Sequence, residues 1–467
     1  MNLHRLALTL SLLPMSQAFA DLPDRENALK LPDVLISANR QIEQRDDSTA
    51  ANTVFTRDDI ERLQPTSVTD LLNRVPGVQV APSGGRGSLP GIYIRGTKAA
   101  QSLVLVDGQR IANATSGDSA LQFLDVEQIE RVEVLRGSRS VIYGADAIGG
   151  VINMITGDDT SPKARIEYGS LNTKFAEASI GTKFSKGHLL GAISAFSTDG
   201  VDTSGNDLGK DGTDQYSGLF TGAFELSETW LLSGLLGYSN SDAEYDSDTD
   251  YDGLLNDVDL SSETEQLLLG AALSGQAFGL DHQFRITHTT IERDNFLSDT
   301  LTDASEGKRT KISYSPSYET KAAFAELVRL TGILEYEKED YSTSDIQYGG
   351  LTNQDKSFET LGIGGEALID WGALTTYATL RFDDNYGQFD DAVSGRIVAA
   401  YQTEAYGRFR ASVGTGSKNP TFTELFGFFP GSFIGNPNLK TETSAGWELG
   451  WDKQFDQFGF GRQFVHG

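Results

Sequence analysis

Cysteine is absent from the chain, which excludes disulfides, thiol chemistry and cysteine–zinc sites. Histidine is scarce. Beyond His4, the residues His188, His282, His288 and His466 show no metal-ligand spacing. Basic residues are in deficit, with 38 Lys and Arg against 66 Asp and Glu and a formal net charge of −28. Nucleic acid is therefore an unsuitable partner, because phosphate binding needs basic surface. Divalent cations and cationic or neutral ligands suit the charge better. Proline is also sparse, at 12 in 467 residues against 50 glycines, a balance that fits many strands joined by turns. After the first twenty residues no stretch approaches the roughly 18 consecutive apolar residues that a transmembrane helix needs. The serines lack a G-x-S-x-G setting, and the glycine-rich "PSGGRGSLPG" (82–91) has no Lys-Ser/Thr after it. A nucleophile elbow and a phosphate loop are thus both missing, and no enzyme is expected.

The N-terminus does hold an apolar stretch. His4 and Arg5, then "LALTLSLL", then "AFA" at 18–20 read as a secretory signal over residues 1–20, with a mature chain from Asp21. An exported chain with no spanning helix belongs in the periplasm, the medium or an outer membrane, as a β-barrel in the last case. A tether, 21–40, contains "LPDVLISANR". Its β-prone Val34, Leu35 and Ile36 can add as a strand to a partner's sheet edge.

Residues 41–157 have the pattern of a small α+β domain. "TRDDIERL" offers Thr56 as N-cap with Asp59 three residues on, and "SVTDLLNRVPG" repeats the device with Ser67 and Asp70 before Pro76-Gly77 stops the helix. Strands are expected at 91–96, 102–111, 131–137 and 149–156. From 158 to 467 the period becomes two. Ala164, Ile166 and Tyr168 alternate with Arg165, Glu167 and Gly169; Ala176, Ala178, Ile180 and Phe184 with Glu177, Ser179 and Lys183; and Phe409, Ala411 and Val413 with Arg408, Arg410 and Ser412. Segments of about ten residues with one apolar and one polar face mark an antiparallel transmembrane β-barrel. Trp230, Tyr238, Phe382, Trp447 and Trp451 are candidates for its interfacial aromatics.

Residues 246–259, "DSDTDYDGLLNDVD", hold six aspartates in fourteen positions. Asp248, Asp250, Asp252, Gly253 and Asp259 follow the spacing of a calcium loop. Hard carboxylate oxygens suit calcium better than transition metals.

"RVEVLRGSRSVIYGADAIGGVINMIT" (131–156), with "TSVTDLLNRVPGV" (66–78), "IYIRGTKAAQSLVLVDGQRI" (92–111) and "NPNL" (436–439), resembles the TonB-dependent outer-membrane receptors, and among them the cobalamin (vitamin B12) receptors. The resemblance implies a plug inside a barrel of about 22 strands in the outer membrane of a Gram-negative bacterium. It implies energy-coupled import of cobalamin through periplasmic TonB and its inner-membrane complex. Asp33, Val34, Leu35, Ile36, Ser37 and Ala38 then correspond to the TonB box. Leu89, Gly91, Lys98, Thr115 and Ser116 correspond to plug contacts with the ligand, although Gly91 stands where the family has serine and Lys98 where it has asparagine. Calcium, as cofactor, would be held by Asp202, Asp211, Asp214, Tyr245, Asp246 and Asp259, with Asp248, Asp250 and Asp252 in an insertion. Haem receptors of the superfamily carry a histidine between motifs like "SKNP" (417–420) and "NPNL". Residues 421–435 contain none, so axial ligation from that segment is excluded. A siderophore receptor is the alternative reading, and a secreted calcium-stabilised β-protein a further one. At roughly 20 residues per strand, the 310 residues from 158 onward supply some 14 or 15 strands, an incomplete barrel at the C-terminus.

The tether reading has a direct test. Proline at Leu35 or Ile36 removes a backbone donor, so energy-dependent uptake by cells is expected to fall to background while ligand binding at the surface is retained. Uptake at the parental rate would reject the TonB-box assignment.

Overall fold

The computed structural model describes residues 51–455, apart from 82–89, 120, 122–123, 206–208, 250–251, 348 and 428–433. It also describes the strand segments at 34–35, 43–44 and 463–466. The expected signal at 1–20 lies outside these residues. In the tether, β1 (Val34–Leu35) pairs antiparallel with β2 (Glu43–Gln44), Val34 opposite Gln44 and Leu35 opposite Glu43.

The plug is built by its caps and turns. β3 (Ala51–Phe55) leads into α1 (Arg57–Leu63), where Thr56 and Asp59 close the expected capping box. Ser67 accepts from the Asp70 amide to open α2 (Val68–Leu72). β4 (Val78–Ala81) and β5 (Gly91–Ile94) form a separate hairpin. The expected strand at 102–111 is divided into β6 (Ser102–Val106) and β7 (Gln109–Arg110). Asp107 and Gly108 both take positive φ, 48° and 78°, the backbone of a two-residue hairpin turn. β8 (Ile129–Arg136), α3 (Ser140–Tyr143) and β9 (Gly150–Thr156) complete the unit. The sheet order is β3-β8-β9-β6-β7, with β6 and β9 parallel. Leu71, Leu72, Ile94, Val104, Val134 and Ile152 are buried beneath it. The wall residues Leu219, Leu235 and Leu268 join the same cluster, so the plug core continues into the barrel.

The wall is one 15-stranded sheet in strict sequence order. Its strands are β10 (Lys163–Tyr168), β11 (Lys174–Phe184), β12 (Gly187–Val201), β13 (Asp211–Glu225) and β14 (Trp230–Ser247). They continue with β15 (Asn256–Ala277), β16 (Leu280–Leu297), β17 (Thr300–Ala322), β18 (Ala325–Asp345) and β19 (Gln354–Asp370). β20 (Leu374–Asp384), β21 (Ala392–Thr403) and β22 (Gly407–Lys418) follow. A short helix, α4 (Phe422–Phe426), then precedes β23 (Glu442–Phe455) and β24 (Gln463–His466). β10 and β24 stand at the two ends of the sheet.

The expected alternation is kept. Ile166 and Val413 are exposed at 85% and 56%, whereas Glu177 and Arg408, on the opposite face, are at 8% each. The central strands exceed the expected ten residues, reaching 23 in β17. About ten tilted residues cross the hydrocarbon, so the remainder rises beyond it on the side of the long loops. Tyr238, Phe382 and Trp447 are exposed on the outer face. At the short-turn end, Trp230 stacks on His282, which stacks on Tyr314. Trp451 donates its indole N–H to the Tyr406 carbonyl at 2.7 Å.

Charges are buried between wall and plug. Arg381, 3% exposed at its side chain, bridges Glu335 and Asp383, each at 2.7 Å. Lys311 lies 3.2 Å from Glu335 and 3.5 Å from Glu337. Glu337 in turn meets the plug's Arg110 at 3.7 Å, and Arg110 pairs with the plug's own Asp146. The chain of alternating charge satisfies groups that burial would otherwise penalise. Arg381→Met leaves Asp383 buried without its cation. It is expected to lower stability by about 3–5 kcal/mol, read as an earlier denaturant midpoint in detergent. An unchanged midpoint would show the ladder to be energetically idle.

Candidate functional site

Short turns close one end of the sheet, and long connections at 202–210, 248–255, 346–353, 385–391 and 419–441 lie at the other. The plug loop Asn113–Ser119 rises to that second end. Its turn is closed by Gly117 N–H donating to Asn113 O at 2.9 Å and by Asn113 N–H donating to Asp118 O at 2.8 Å. Gly117 has φ 79°, and a Cβ there would lie 2.9 Å from that of Ala100, so the glycine is required on both counts.

Thr115 is buried. Its N–H donates to Asn113 Oδ1 at 2.9 Å. Its carbonyl accepts from the Thr423 amide and the Thr423 hydroxyl of α4, at 3.1 Å each. Ser116 Oγ accepts from the Asp118 amide at 3.3 Å. Lys98 stands beside this loop, half a turn before Ala100. Its ammonium lies 2.8 Å from Glu442 Oε1, while Gln101 donates to Glu442 Oε2 at 2.6 Å. The hydrogen bond and charge of Glu442 hold the Lys98 ammonium above its usual pKa. The structure thus brings Lys98, Thr115 and Ser116 together at the plug apex. Gly91 sits at the start of β5 against the Tyr93 ring, and Leu89 lies outside the described residues.

Beneath the apex a cavity of about 510 Å³ runs between plug and wall, bordered by Ala114, Gly117 and Phe422 above and by Arg110, Glu337 and Arg381 below. Phe422 stacks on Phe358 with centroids 4.2 Å apart and meets Tyr341 at 4.9 Å. These aromatics and Glu442 carried no signal in the one-dimensional pattern, because β18, β19, β23 and α4 are distant in sequence and meet only here.

The acidic residues divide. Asp202, Asp211 and Asp246 converge from two neighbouring outer connections. Thr203 donates its amide and hydroxyl to Asp211 at 2.9 and 2.6 Å, and its hydroxyl also lies 3.1 Å from Asp246 Oδ2. Ser204 N–H donates to the same Asp246 oxygen at 2.9 Å and Gly205 N–H to Asp202 at 2.7 Å. Asp257, outside the calcium-loop spacing, faces the same carboxylates. Partial burial, together with Asp246, Asp202 and Asp211, pushes its carboxyl up, and among the described residues its buried Oδ2 has no hydrogen-bond partner. The other candidates do not join them. Asp214 is exposed beside Asp242. Tyr245 faces the charges of Asp303 and Arg293. Asp248 accepts from the amides of Asp252 and Gly253, at 3.1 and 2.9 Å, and Asp252 from that of Leu254 at 2.8 Å. These local turns use the carboxylates for the backbone, as aspartate does in loops. Asp259 is exposed within β15, and Asp250 lies outside the described residues. Among the described residues, no group of three or more Asp, Glu or His side chains is arranged to hold a metal ion. Asp202, Asp211, Asp246 and Asp257 carry oxygen donors of the kind a hard cation takes, but the described residues do not gather them into a metal-holding group.

Comparison with known proteins gives a consistent family. Residues 44–151 match the TonB-dependent receptor plug domain and residues 153–464 the TonB-dependent receptor-like β-barrel. The chain is 30% identical over 427 residues to the vitamin B12 transporter BtuB of Photobacterium profundum, covering 89% of this chain and 66% of that protein. It is also 30% identical to the BtuB of Vibrio vulnificus over 431 residues, covering 89% and 67%. The chain therefore spans about two thirds of the length of these relatives. The siderophore receptor PirA of Acinetobacter baumannii superposes with a TM-score of 0.71 at 17% identity, over 87% of this chain and 69% of that one. The PirA of Pseudomonas aeruginosa gives 0.67 at 21%, over 87% and 72%. At these identities the likeness concerns the fold.

The like charges of Asp246, Asp202 and Asp211 acting on Asp257 predict opposite effects of one substitution. In chelator, Asp257→Asn relieves repulsion and is expected to raise the melting temperature slightly. In calcium the parent is expected to gain about 1.4 kcal/mol at a tenfold excess over Kd, and the variant markedly less. Melting curves that calcium leaves unmoved in the parent would remove the cation site.

Proposed function

The chain belongs to the TonB-dependent receptors of the Gram-negative outer membrane, and from that premise we propose that it binds cobalamin at the plug apex and admits it in a TonB-dependent manner. It is a receptor and not an enzyme. The observation that carries the cobalamin reading is that the cations at the apex are already paired. Among the described residues there the cations are engaged: Lys98 by Glu442 at 2.8 Å, Arg309 by Glu339 and the Ala112 carbonyl, and Arg293 by the charge of Asp118. The neighbouring groups are the hydroxyls and amides of Thr115 and Ser116. An anionic ferric siderophore is best met by unpaired cations. Cobalamin is large, nearly neutral and rich in amides, and needs hydrogen-bond donors and acceptors instead. The 30% identity to transporters named for vitamin B12 supports the same ligand.

Calcium would be held by Asp202, Asp211, Asp246 and Asp257. The ion would supply positive charge that neutralises the cluster and ties the 202–210 connection to the 246–257 connection. Ordering a loop residue beforehand spares about 1–2 kcal/mol of backbone entropy when ligand arrives. On this reading calcium and ligand favour each other by equal factors. On the periplasmic side the β1 segment would be offered to TonB as an added strand.

The test is a titration of the purified protein with cobalamin and with a ferric catecholate siderophore, in calcium and in chelator, for the parent and for Asp246→Ala with Asp257→Ala. Cobalamin is expected to bind the parent about tenfold more tightly in calcium, with no such gain in the variant. Tighter binding of the siderophore would overturn the cobalamin reading. A cobalamin affinity indifferent to calcium would overturn the role of the ion.

A further inference from the structure

The segment Thr415–Glu424, from the end of β22 into α4, runs along the plug and is stitched to it at successive points. Ser138 Oγ donates to the Thr415 carbonyl at 3.1 Å. The Ser417 amide donates to Ser140 Oγ at 3.2 Å, and the Asp146 amide donates to the Ser417 carbonyl at 3.0 Å. Gly416 permits this approach, since a Cβ there would lie 2.4 Å from Ser138 Oγ. At the far end Thr423 places its amide and hydroxyl on the Thr115 carbonyl.

Between these points lies Lys418. It is an amine-bearing side chain only 1% exposed. Its ammonium donates to the Asn419 carbonyl at 2.9 Å and lies 3.4 Å from Glu424 Oε2. That same Glu424 oxygen accepts from the Thr421 amide and hydroxyl, at 2.9 and 3.1 Å, and so closes the capping box of α4. A capping box alone needs no lysine. A fully buried lysine is retained only where its charge is used. Here it joins the chain before α4 to the carboxylate inside α4, and thereby fixes the direction in which Thr423 leaves the helix. Phe422, packed on Phe358, sets the opposite side.

We propose that Lys418 is a positioning residue for ligand binding. It holds the strap Thr415–Glu424 in the shape that seats Thr423 on Thr115, so the barrel wall pre-organises the plug loop Asn113–Ser119. This rests on the reading that Thr115 and Ser116 touch the ligand. A loop fixed before ligand arrives loses less entropy on binding.

The experiment uses the full chain in detergent without ligand, then with cobalamin. Amide exchange is followed at Asn113 and Gly117, whose N–H groups close the apical turn, and at Val104 and Ile152 in the plug core. Lys418→Met keeps the stem and removes the charge. Thr423→Val removes only the hydroxyl, and Thr423→Ser restores it. Apical exchange is expected to accelerate about fivefold or more in Lys418→Met and Thr423→Val, to stay parental in Thr423→Ser, and to leave the core amides unmoved. Cobalamin affinity is expected to weaken in the same order. Apical exchange that is unchanged in both Lys418→Met and Thr423→Val overturns the proposal, and so does acceleration that spreads equally through the core. If apical exchange responds as expected but the parent does not bind cobalamin, the ligand reading fails and the positioning role stands.

Discussion

A strand that crosses lipid has no water to satisfy its backbone, so every N–H and C=O must find a neighbour. Most of this molecule follows from that constraint. Each wall strand pairs antiparallel with the next in sequence. Short turns suffice on one side, and long connections collect on the other. Period two then sorts side chains without further instruction: Ile166, Phe220 and Leu449 face outward, and Gln215, Ser239 and Thr264 face inward. The polar interior can therefore take a folded domain with polar groups of its own. The longest strands carry the pairing beyond the hydrocarbon and raise the acidic connections clear of the lipid.

The interior contact is of two kinds. Near its base the plug core merges with the wall through Leu219, Leu235 and Leu268, a non-directional attachment that burial alone secures. Higher up, the contact is directional. Arg110, paired with the plug's own Asp146, meets Glu337 within the buried charge ladder, and Arg95 pairs with Glu448 of β23. Such pairs add little net stability compared with apolar packing, yet they tolerate one register only. The strap through Lys418 extends that register to the apex. The loop that would meet ligand is consequently shaped by both domains.

The acidic connections show how charge is managed in a chain of net charge −28. Asp248 and Asp252 are absorbed by their own turn. Asp202, Asp211 and Asp246 are partly absorbed by Thr203, Ser204 and Gly205. Asp257 keeps one buried oxygen without a partner among the described residues. Spacing and resemblance both pointed to Asp259; in the structure Asp259 is exposed, and Asp257 faces the charges of Asp246, Asp202 and Asp211.

The sequence by itself determined what depends on near neighbours. The caps at Thr56 and Ser67, the plug strands, the change to period two near residue 160, and the family all follow from short-range pattern or local motif, because capping, turn chemistry and facial alternation are decided within a few residues. Even there, the Asp107-Gly108 turn divided what read as one strand. Tertiary structure alone decided the partnerships. Glu442 neutralises Lys98 across 344 positions, Thr423 seats Thr115 across 308, and Asp257 joins Asp202 from the adjacent connection. Contacts at that separation leave no periodic trace in the chain. They exist only once the register of the wall has fixed which strand ends stand beside the plug.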